Sequence, residues 1–327
     1  MGDDVATGYP LVTFVIPVFN DEKNIACCLE SIRNQEFLKE AFDIIVLDNG
    51  STDGTHEILK NLGISFQIIP RVHVSTLRNI GASSAKGNFL GFVDSDVEIS
   101  PHWLTNALKV FEDKEIVACG CFPEVPPKAT WVQQTWDLHQ RGRHYNQKPV
   151  PVSWLPSMNF MVRRETFKSI GGFNEKLETA EDVDLCYRLG KHGTILSHTG
   201  MQAVHWGEAK DLATFWKKEV WRGMGNYAGV FSHGFRWDEA PSLLYPLYVL
   251  CFVLLSSFAG INDIMNGKIF LMPLALGFLS LPALVLAVNT TMVSKRINFF
   301  VLLFVLYLIY GLARAVSLVK ASWFSRK

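Results

Sequence analysis

Two carboxylates spaced one residue apart, Asp94 and Asp96, follow the apolar segment at residues 88–93. In an extended chain alternate side chains point the same way, so both carboxylates can face one ligand at the end of a strand. Hard oxygen ligands of this kind suit Mg²⁺ or Mn²⁺, which bridge protein carboxylates to substrate phosphates. We therefore predict that Asp94 and Asp96 hold a divalent metal against a phosphate group, although a solvated turn could carry the same short pattern.

A second acidic group, Glu181, Asp182 and Asp184, opens a predicted helix some way after the glycine turn at residues 171–172. The helix dipole favours acids at this position, so an ordinary charged helix start is one interpretation. The other is that the turn aims one carboxylate into a cleft, where it accepts a proton from a substrate hydroxyl. We take Asp182 as that base, kept ionised by the helix N-terminus, and Glu181 as the neighbouring catalytic candidate.

Several other polar residues could bind a nucleotide diphosphate. Asp48 and Asp53 lie in a glycine-containing turn and can accept hydrogen bonds from a base or ribose. The alternative is that Ser51 or Thr52, with Glu57, forms a capping box for the next helix. The guanidinium of Arg78 suits a diphosphate or ribose contact, and an ordinary surface helix is the alternative for it. His205 and Arg222 could complete the diphosphate or metal site.

These candidates need a framework, and the first half of the chain alternates short β-branched or aromatic runs with helix-like stretches. The predicted strands lie at residues 11–17, 42–48, 64–69, 88–93 and 116–122. This alternation predicts an α/β domain with a mainly parallel sheet covered by helices on both faces. Such sheets bind ligands at the carboxyl ends of their strands, where the polar clusters occur.

Two segments outside this pattern have a composition of their own. Residues 123–156 are rich in Pro, Trp, Gln and Arg and weakly periodic, which predicts a surface segment or loop. Residues 211–231 predict a helix that mixes aromatic with basic residues. Such a helix could lie at a membrane surface or pack against the catalytic domain.

The last part of the chain contains three apolar runs, at residues 241–261, 269–291 and 297–319. Each is close to the roughly 20 residues that a helix needs to cross the hydrocarbon of a bilayer. Buried helices of a large soluble enzyme would need more apolar partner surface than the remaining polar chain offers. We predict an α/β domain over residues 1–235 and an all-α membrane region with about three transmembrane helices over residues 236–327.

Charge and cysteine content narrow the class of protein. The chain has 31 basic and 31 acidic residues and no basic stripe with interleaved aromatics, so nucleic acid is not a favoured partner. Its 6 cysteines lack the paired spacing of a zinc site, which favours reduced cytosolic thiols. Neither a Walker-type phosphate loop nor an HExxH zinc motif occurs.

Taken in order, five motifs between about residues 10 and 230 resemble those of the family 2 glycosyltransferases with the GT-A fold. They are Val15-Ile16-Pro17-Val18-Phe19-Asn20, the turn from Asp48 to Gly54, Arg78-Asn79-Ile80-Gly81, Asp94-Ser95-Asp96, and Gly171-Gly172-Phe173-Asn174-Glu175 followed by Glu181-Asp182. The resemblance implies that the first motif, with Pro17 and Asn20, and the turn acid Asp48 hold the nucleotide. It also implies that Asp96 holds the metal, that Asp182 is the base and that transfer inverts the sugar.

The chain departs from the family pattern at two places. Many members carry two consecutive acids where this chain has Asp48 and then Asn49, which puts the base and ribose contacts in doubt. Processive synthases carry Gln-x-x-Arg-Trp where this chain reads Glu219-Val220-Trp221-Arg222-Gly223. The second departure favours a non-processive enzyme that transfers one sugar from a nucleotide-sugar donor to a lipid-linked or saccharide acceptor.

Two alternatives remain open at this point. A polyprenyl-phosphate sugar synthase would share the fold, but its phosphate acceptor has less need of a base. A non-catalytic membrane protein with a degenerate transferase domain is the second alternative, and the intact Asp96 and Asp182 speak against it. In each case we expect an integral membrane protein with a cytosolic α/β domain, and the resemblance favours a bacterial plasma membrane.

Overall fold

The computed structural model describes residues 11–141, 148–225, 237, 240–267 and 269–324, with only the backbone described at residues 141 and 321–324. The chain divides into two compact units. One comprises Met1–Pro127 with His144–Glu208, and the other comprises Lys128–Arg143 with Ala209–Lys327. The domain boundary proposed near residue 235 lies outside the described residues.

The first unit is built on a mixed sheet. The described strands, numbered in chain order, are β1 (Val12–Val18), β2 (Phe42–Asp48), β3 (Phe66–Ile68), β4 (Phe89–Val93), β5 (Val97–Ile99), β6 (Ile116–Gly120), β7 (Val150–Pro151), β8 (Asn159–Arg163), β9 (Thr194–Ser197) and β10 (Ala203–His205). Eight form one sheet in the order β3-β2-β1-β4-β8-β6-β9-β7, and β5 pairs antiparallel with β10. The pairs β3-β2, β2-β1, β1-β4 and β6-β9 are parallel. The α/β class predicted from the sequence is confirmed.

The sequence pattern did not predict β5, β7, β8 or β9, and β8 is the one of these that lies inside the main sheet next to a predicted nucleotide-binding strand. It lies between β4 and β6 and pairs antiparallel with both. Residues 159–162 are buried, so the segment lacks the alternation of polar and apolar residues that marks a strand with one wet face. Because β8 lies between them, β4 and β6 are not neighbours in the sheet, although they follow one another along the predicted strand–helix repeat.

The helices, also numbered in chain order, cover both faces of this sheet or form the second unit. They are α1 (Ile25–Arg33), α2 (Thr55–Asn61), α3 (Val74–Ser84), α4 (Trp103–Val110), α5 (Trp131–Arg141), α6 (Arg164–Ser169), α7 (Glu181–Leu189), α8 (Leu212–Met224), α9 (Ala240–Met265), α10 (Leu271–Ser294) and α11 (Phe300–Phe324). Alternate residues of β1 enter opposite layers of the core. Phe14 and Ile16 pack in one hydrophobic cluster and Val15 packs in the other. Both faces of the sheet are therefore apolar, which leaves the strand ends as the place for polar chemistry.

The second unit contains the two segments whose sequence was irregular or amphipathic. Residues 131–141 form helix α5, which corrects the expectation of a surface loop for that part of residues 123–156. The amphipathic segment at residues 211–231 forms α8 as far as Met224, and residues 226–231 lie outside the described part. Both helices pack against α11: Trp136 of α5 lies against Tyr307, and Glu219 of α8 pairs with Arg314.

Three helices of the second unit, over Ala240–Met265, Leu271–Ser294 and Ile297–Lys320, are long and apolar enough to cross a membrane by length and composition. They correspond to the three apolar runs predicted at residues 241–261, 269–291 and 297–319. A long apolar region at the C-terminal end of the described chain is thus confirmed.

Candidate active site

The carboxyl ends of β1, β2 and β4 meet at one edge of the sheet because these strands are parallel neighbours. Asp48 ends β2, and Asp94 follows directly after Val93 of β4. Pro17 is buried within β1, and Asn20 lies just beyond that strand in the left-handed region, with φ of +50°. The fold thus gathers most of the predicted nucleotide contacts at one edge, as the strand-end rule requires.

Asp48 is enclosed and heavily hydrogen-bonded through one of its two carboxylate oxygens. Its Oδ1 accepts from the backbone N–H of Gly50 at 2.9 Å and of Ser51 at 2.8 Å, and His56 Nε2 lies 2.9 Å away. Burial opposes ionisation, but the hydrogen bonds from Ser51 and His56 outweigh it and lower the pKa of Asp48. The other oxygen, Oδ2, is buried without a hydrogen-bond partner among the described residues. An ionised acceptor oxygen therefore remains for a ligand N–H or O–H group.

The loops after β1 and β2 are joined by reciprocal hydrogen bonds. Asn20 Oδ1 accepts from Thr52 N–H at 2.7 Å, and Asp53 Oδ2 accepts from Glu22 N–H at 3.1 Å. Glu22 in turn accepts from Gly54 N–H at 2.8 Å. Asp53 also accepts hydrogen bonds from the N–H and hydroxyl of Thr55 at the start of α2, so its observed contacts are structural. The N-cap of α2 is Gly54 and not Ser51 or Thr52, so the capping box considered for this turn is not the one that forms. A nucleotide contact by Asp53 stays a prediction.

Asn49 explains why this chain does not need a second acid in the turn. Its side-chain amide donates to Val72 C=O at 2.9 Å, and its Oδ1 accepts from Val72 N–H at 2.9 Å. A carboxylate could accept but could not donate, so it would lose half of this pair. The amide fastens the end of β2 to the segment that leads into α3.

Arg78 of α3 joins the two acidic groups that the sequence placed far apart. Its Nη2 donates to Asp94 at 2.7 Å and its Nη1 donates to Glu181 at 3.0 Å. The guanidinium is buried, which would lower the pKa of Arg78, but the charges of Asp94 and Glu181 raise it. The predicted diphosphate contact is thus not the contact that the structure displays. Arg78 instead holds two carboxylates in position, and its buried Nε has no described hydrogen-bond partner.

The glycine turn before α7 is anchored on the same helix as Arg78. Gly171 and Gly172 have φ of +81° and +70°, which a residue with a side chain adopts only under strain. The amide of Asn79 donates to Phe173 C=O and accepts from Phe173 N–H, each at 2.9 Å. This anchor fixes the chain that leads to Glu181.

Asp182 occupies the first turn of α7, after Ala180 with φ of +65°. Its Oδ1 accepts from Val183 N–H at 2.8 Å. Burial and then the charge of Glu181 raise the pKa of Asp182 to about 7, against the lowering effect of Arg78. The expectation that the helix N-terminus keeps this carboxylate ionised is therefore corrected, because burial and a neighbouring carboxylate dominate. A group that titrates near neutrality remains suited to general base catalysis.

Asp96 has different neighbours from Asp94. His205 Nε2 lies 3.2 Å from Asp96 Oδ2, and His205 Nδ1 lies 3.3 Å from Glu208. Burial lowers the pKa of His205, but the hydrogen bonds to Asp96 and Glu208 raise it to about 9. Gly207 passes so close that a Cβ there would lie 1.9 Å from Asp96 Oδ2. Only glycine allows the backbone at residue 207 to pack this closely against the Asp96–His205 pair.

The donor set at Asp96 and His205 fits a divalent metal. No group of three or more His, Cys, Asp or Glu side chains is arranged as a complete metal site within the described residues. Aspartate and a histidine that has given up its proton are nonetheless a fitting partial set for Mn²⁺ or Mg²⁺, since these ions take further ligands from substrate phosphates and water. Asp94, which the sequence also proposed as a ligand, is engaged by Arg78 instead.

Arg222 belongs to the second unit. Its Nη1 donates to Glu219 of the same helix at 2.9 Å. The predicted diphosphate contact by Arg222 therefore stays a prediction.

Sequence reasoning missed Glu208, Gly207 and Asp21. Asp21 Oδ2 accepts from Ser95 Oγ at 2.7 Å, so the residue between the two predicted metal carboxylates is tied to the loop after β1. Glu208 could have been suspected because it lies three residues from His205 with an intervening glycine. Asp21 carries no local signal, because its contact spans 74 residues.

A family model described as Glycosyl transferase family 2 matches residues 13–171. Residues 13–171, just under half of the chain, are therefore similar to a family 2 glycosyltransferase domain. The matched region includes β2, β4 and most of β1 and ends at Gly171 of the glycine turn, and Asp182 and His205 follow it.

Curated relatives agree with this assignment. The glycosyltransferase AglE of Haloferax volcanii is 25% identical over 184 residues, which cover 53% of this chain and 59% of the relative. The pre-mycofactocin glycosyltransferase of Mycobacterium tuberculosis is 28% identical over 210 residues, which cover 59% of this chain and 42% of the relative. The chain thus spans about half the length of these relatives.

Among solved structures, the chain is similar to a mannosyltransferase from Pyrobaculum calidifontis in complex with GDP-Man and Mn²⁺. The TM-score is 0.59 at 16% identity, and the match covers 94% of this chain and 87% of that one. At this identity the likeness supports the fold, and the GT-A architecture expected from the sequence is confirmed.

Proposed function

We propose that the protein is a metal-dependent, inverting glycosyltransferase that moves one sugar from a nucleoside diphosphate donor to a saccharide or lipid-linked acceptor at the cytosolic face of a membrane. Two sets of ion pairs carry the proposal. Arg78 pairs with Asp94 and Glu181, and Asp96 pairs with His205, all within the family 2 domain and the chain that follows it. A metal at the Asp96–His205 pair would neutralise the leaving diphosphate, and the pairs made by Arg78 hold the start of α7, which carries the candidate base.

Each residue has a defined task in this proposal. Asp48 Oδ2 accepts a hydrogen bond from the nucleoside, and Arg78 holds Asp94 and Glu181 so that α7 presents Asp182. Asp182 removes the proton from the acceptor hydroxyl. The hydroxyl oxygen attacks the anomeric carbon from the face opposite the diphosphate, and the bond from that carbon to the diphosphate breaks. A metal held by Asp96 and His205 supplies neutralising charge for the diphosphate when bound. Direct displacement inverts the configuration.

The acceptor hydroxyl is favoured over a phosphate acceptor by the state of Asp182. A phosphate oxygen is already anionic and needs no base, whereas a hydroxyl loses a proton during attack. Burial brings the pKa of Asp182 to about 7, where a base is most effective at neutral pH. A polyprenyl-phosphate sugar synthase would gain nothing from a raised pKa at Asp182.

The test is nucleotide release by the detergent-purified full chain with a panel of nucleotide sugars, with and without lipid or oligosaccharide acceptors, in Mn²⁺, Mg²⁺ or excess chelator. We expect release with one donor class that requires the metal and increases with acceptor. The product linkage, read by NMR, should have the configuration opposite to that of the donor. Absence of release with every donor would favour a non-catalytic protein, and full activity in chelator would reject the metal site.

A further inference from the structure

The three apolar helices of the second unit differ in how much of their surface is exposed. Helix α9 exposes large side chains such as Leu254, Phe258 and Ile261, and α10 exposes others such as Leu274, Phe278 and Val285. Up to residue 320, α11 exposes only three large hydrophobic side chains, namely Val301, Val316 and Val319. The three helices are similar in composition, but α9 and α10 are largely exposed whereas α11 is largely covered.

Helices α5 and α8 contact α11 between Tyr307 and Ser317. Glu219 of α8 pairs with Arg314 at 2.9 Å, and a Cβ on Gly223 would lie 2.3 Å from Ser317 Oγ, so α8 lies directly against this part of α11. His139 Nδ1 of α5 lies 2.9 Å from the hydroxyl of Tyr307, one to two turns earlier. The contacts with α5 and α8 thus run over about ten residues of α11.

These covering helices are unsuited to hydrocarbon. Helix α8 contains Lys217, Lys218 and Arg222 besides Glu219, and Lys217 is exposed. Ionised side chains are strongly disfavoured at the centre of a bilayer, so a helix with several of them stays at the surface. Because α8 lies against the middle and end of α11, that part of α11 cannot be at bilayer depth while α8 remains in the polar layer.

Helices α9 and α10 are apolar, unlike α8, and form a hairpin. Their lengths of 26 and 24 residues correspond to about 39 and 36 Å, against a hydrocarbon thickness of roughly 30 Å. At the tip, Asp263 Oδ2 accepts from the N–H groups of Phe270 and Met272 at 2.9 Å each, which caps the start of α10. Most exposed residues of the two helices are apolar, and the exposed polar side chains within them are Ser257 and Asn289.

The contacts of α11 with this hairpin involve the end away from the tip. Tyr245 OH donates to Tyr307 C=O at 2.9 Å, and Thr290 Oγ1 lies 2.6 Å from the hydroxyl of Tyr307. Tyr245 is near the start of α9 and Thr290 is near the end of α10, next to the basic pair Lys295 and Arg296. Basic residues at that end complement anionic lipid headgroups on the cytosolic side.

We propose that only the α9–α10 hairpin crosses the bilayer, and that α11 lies with α5 and α8 in a surface layer at the base of the hairpin. This proposal deepens the membrane attachment in the proposed function and rests on it. It differs from the three crossings that composition alone predicts. With two crossings, Lys320 near the end of α11 lies on the same side of the membrane as Lys295 and Arg296, in agreement with the positive-inside tendency.

The experiment uses the full chain with Cys27 and Cys251, the two exposed cysteines, changed to serine. Single cysteines are introduced at the exposed positions Asn266, Lys295 and Lys320, and the protein is inserted into sealed vesicles of phosphatidylcholine and phosphatidylglycerol. An impermeant maleimide is applied before and after the vesicles are opened. We expect Lys295→Cys and Lys320→Cys to share one side and Asn266→Cys to label from the other. Labelling of Lys320→Cys together with Asn266→Cys would overturn the proposal.

A depth measurement provides a second readout with matched variants. Spin labels on Phe258→Cys of α9 and Val316→Cys of α11 both replace exposed apolar residues, so neither should disturb packing. The Phe258 label should collide with oxygen and resist a water-soluble nickel reagent, whereas the Val316 label should be reached by nickel. Equal protection of both labels from nickel would reject a surface position for α11. Failure to enter vesicles while nucleotide release persists would reject membrane attachment without rejecting the transferase activity.

Discussion

Asp94 and Asp96 are two residues apart at the end of the same strand, yet their surroundings differ. Asp94 is bound by the buried guanidinium of Arg78, which also holds Glu181. Asp96 faces His205, and the backbone of Gly207 packs closely against its carboxylate. Arginine stays protonated, whereas a histidine can give up its proton and share a cation with a neighbouring carboxylate. The proposed function therefore assigns the two carboxylates different tasks, Asp94 in positioning α7 and Asp96 in metal binding.

The largest effect is expected at Asp96. Asp96→Asn keeps the shape of the side chain but removes the charge, and should lower turnover by about 10³-fold, the scale of several kcal/mol of metal stabilisation. It should also raise the Mn²⁺ concentration needed for half-maximal nucleotide release. Asp94→Asn is the matched control, and it should leave that Mn²⁺ requirement nearly unchanged. A larger shift for Asp94→Asn than for Asp96→Asn would invert the assignment.

The second effect concerns the base that the Arg78 pair positions. Asp182→Asn should lower kcat by about 10²-fold or more, the scale of general base catalysis, with donor affinity unchanged. Glu181→Gln should lower kcat less than Asp182→Asn does, because the Glu181 carboxylate contacts Arg78 rather than substrate. Steady-state kinetics with donor binding by calorimetry separates the two. Weaker donor binding with an unchanged rate at saturation would assign Asp182 to binding.

The third effect is on Arg78 itself. Arg78→Gln leaves two carboxylates without their cation and should lower the free energy of unfolding by about 3 kcal/mol, together with a loss of kcat. Arg163→Gln is the control, since Arg163 donates to backbone carbonyls such as Ile116 C=O and pairs in register with Phe89, at the opposite end of β4. The control should lose stability but keep kcat. Equal kcat in both variants would make Arg78 purely structural.

The smallest effect is the pH dependence that Asp182 confers. Its pKa rises from 3.8 to about 7 in the folded chain, so the protonated carboxyl favours folding. The stability that protonated Asp182 contributes is fully present below its ordinary pKa of 3.8 and is lost as the pH rises through its folded-state pKa of about 7. Asp182→Asn should therefore raise the melting temperature at pH 8, and the difference from the wild-type chain should shrink steadily as the pH falls toward 4. The native rate should rise through neutrality as the base loses its proton. A rate independent of pH from 6 to 8 would contradict the assignment.

How far the sequence predicts the site depends on the range of each contact. Asp48, Asp94 and Asp96 are recognisable because strand ends are marked by local pattern, and the structure places them as expected. Arg78 was recognised but given another contact, since nothing local indicates that it bonds Asp94 and Glu181 across 16 and 103 residues. Asp21 was missed for the same reason.

The amino-acid sequence by itself determined the alternating strands and helices, the strand-end acids and the long apolar runs, because hydrophobic period and turn chemistry act over a few residues. Tertiary structure alone decided which carboxylate receives the arginine, why the pKa of Asp182 is raised, and that α11 is covered by polar helices. Burial and charge pairing arise from residues far apart in the chain. Their strength depends on distances that exist only once the chain is folded.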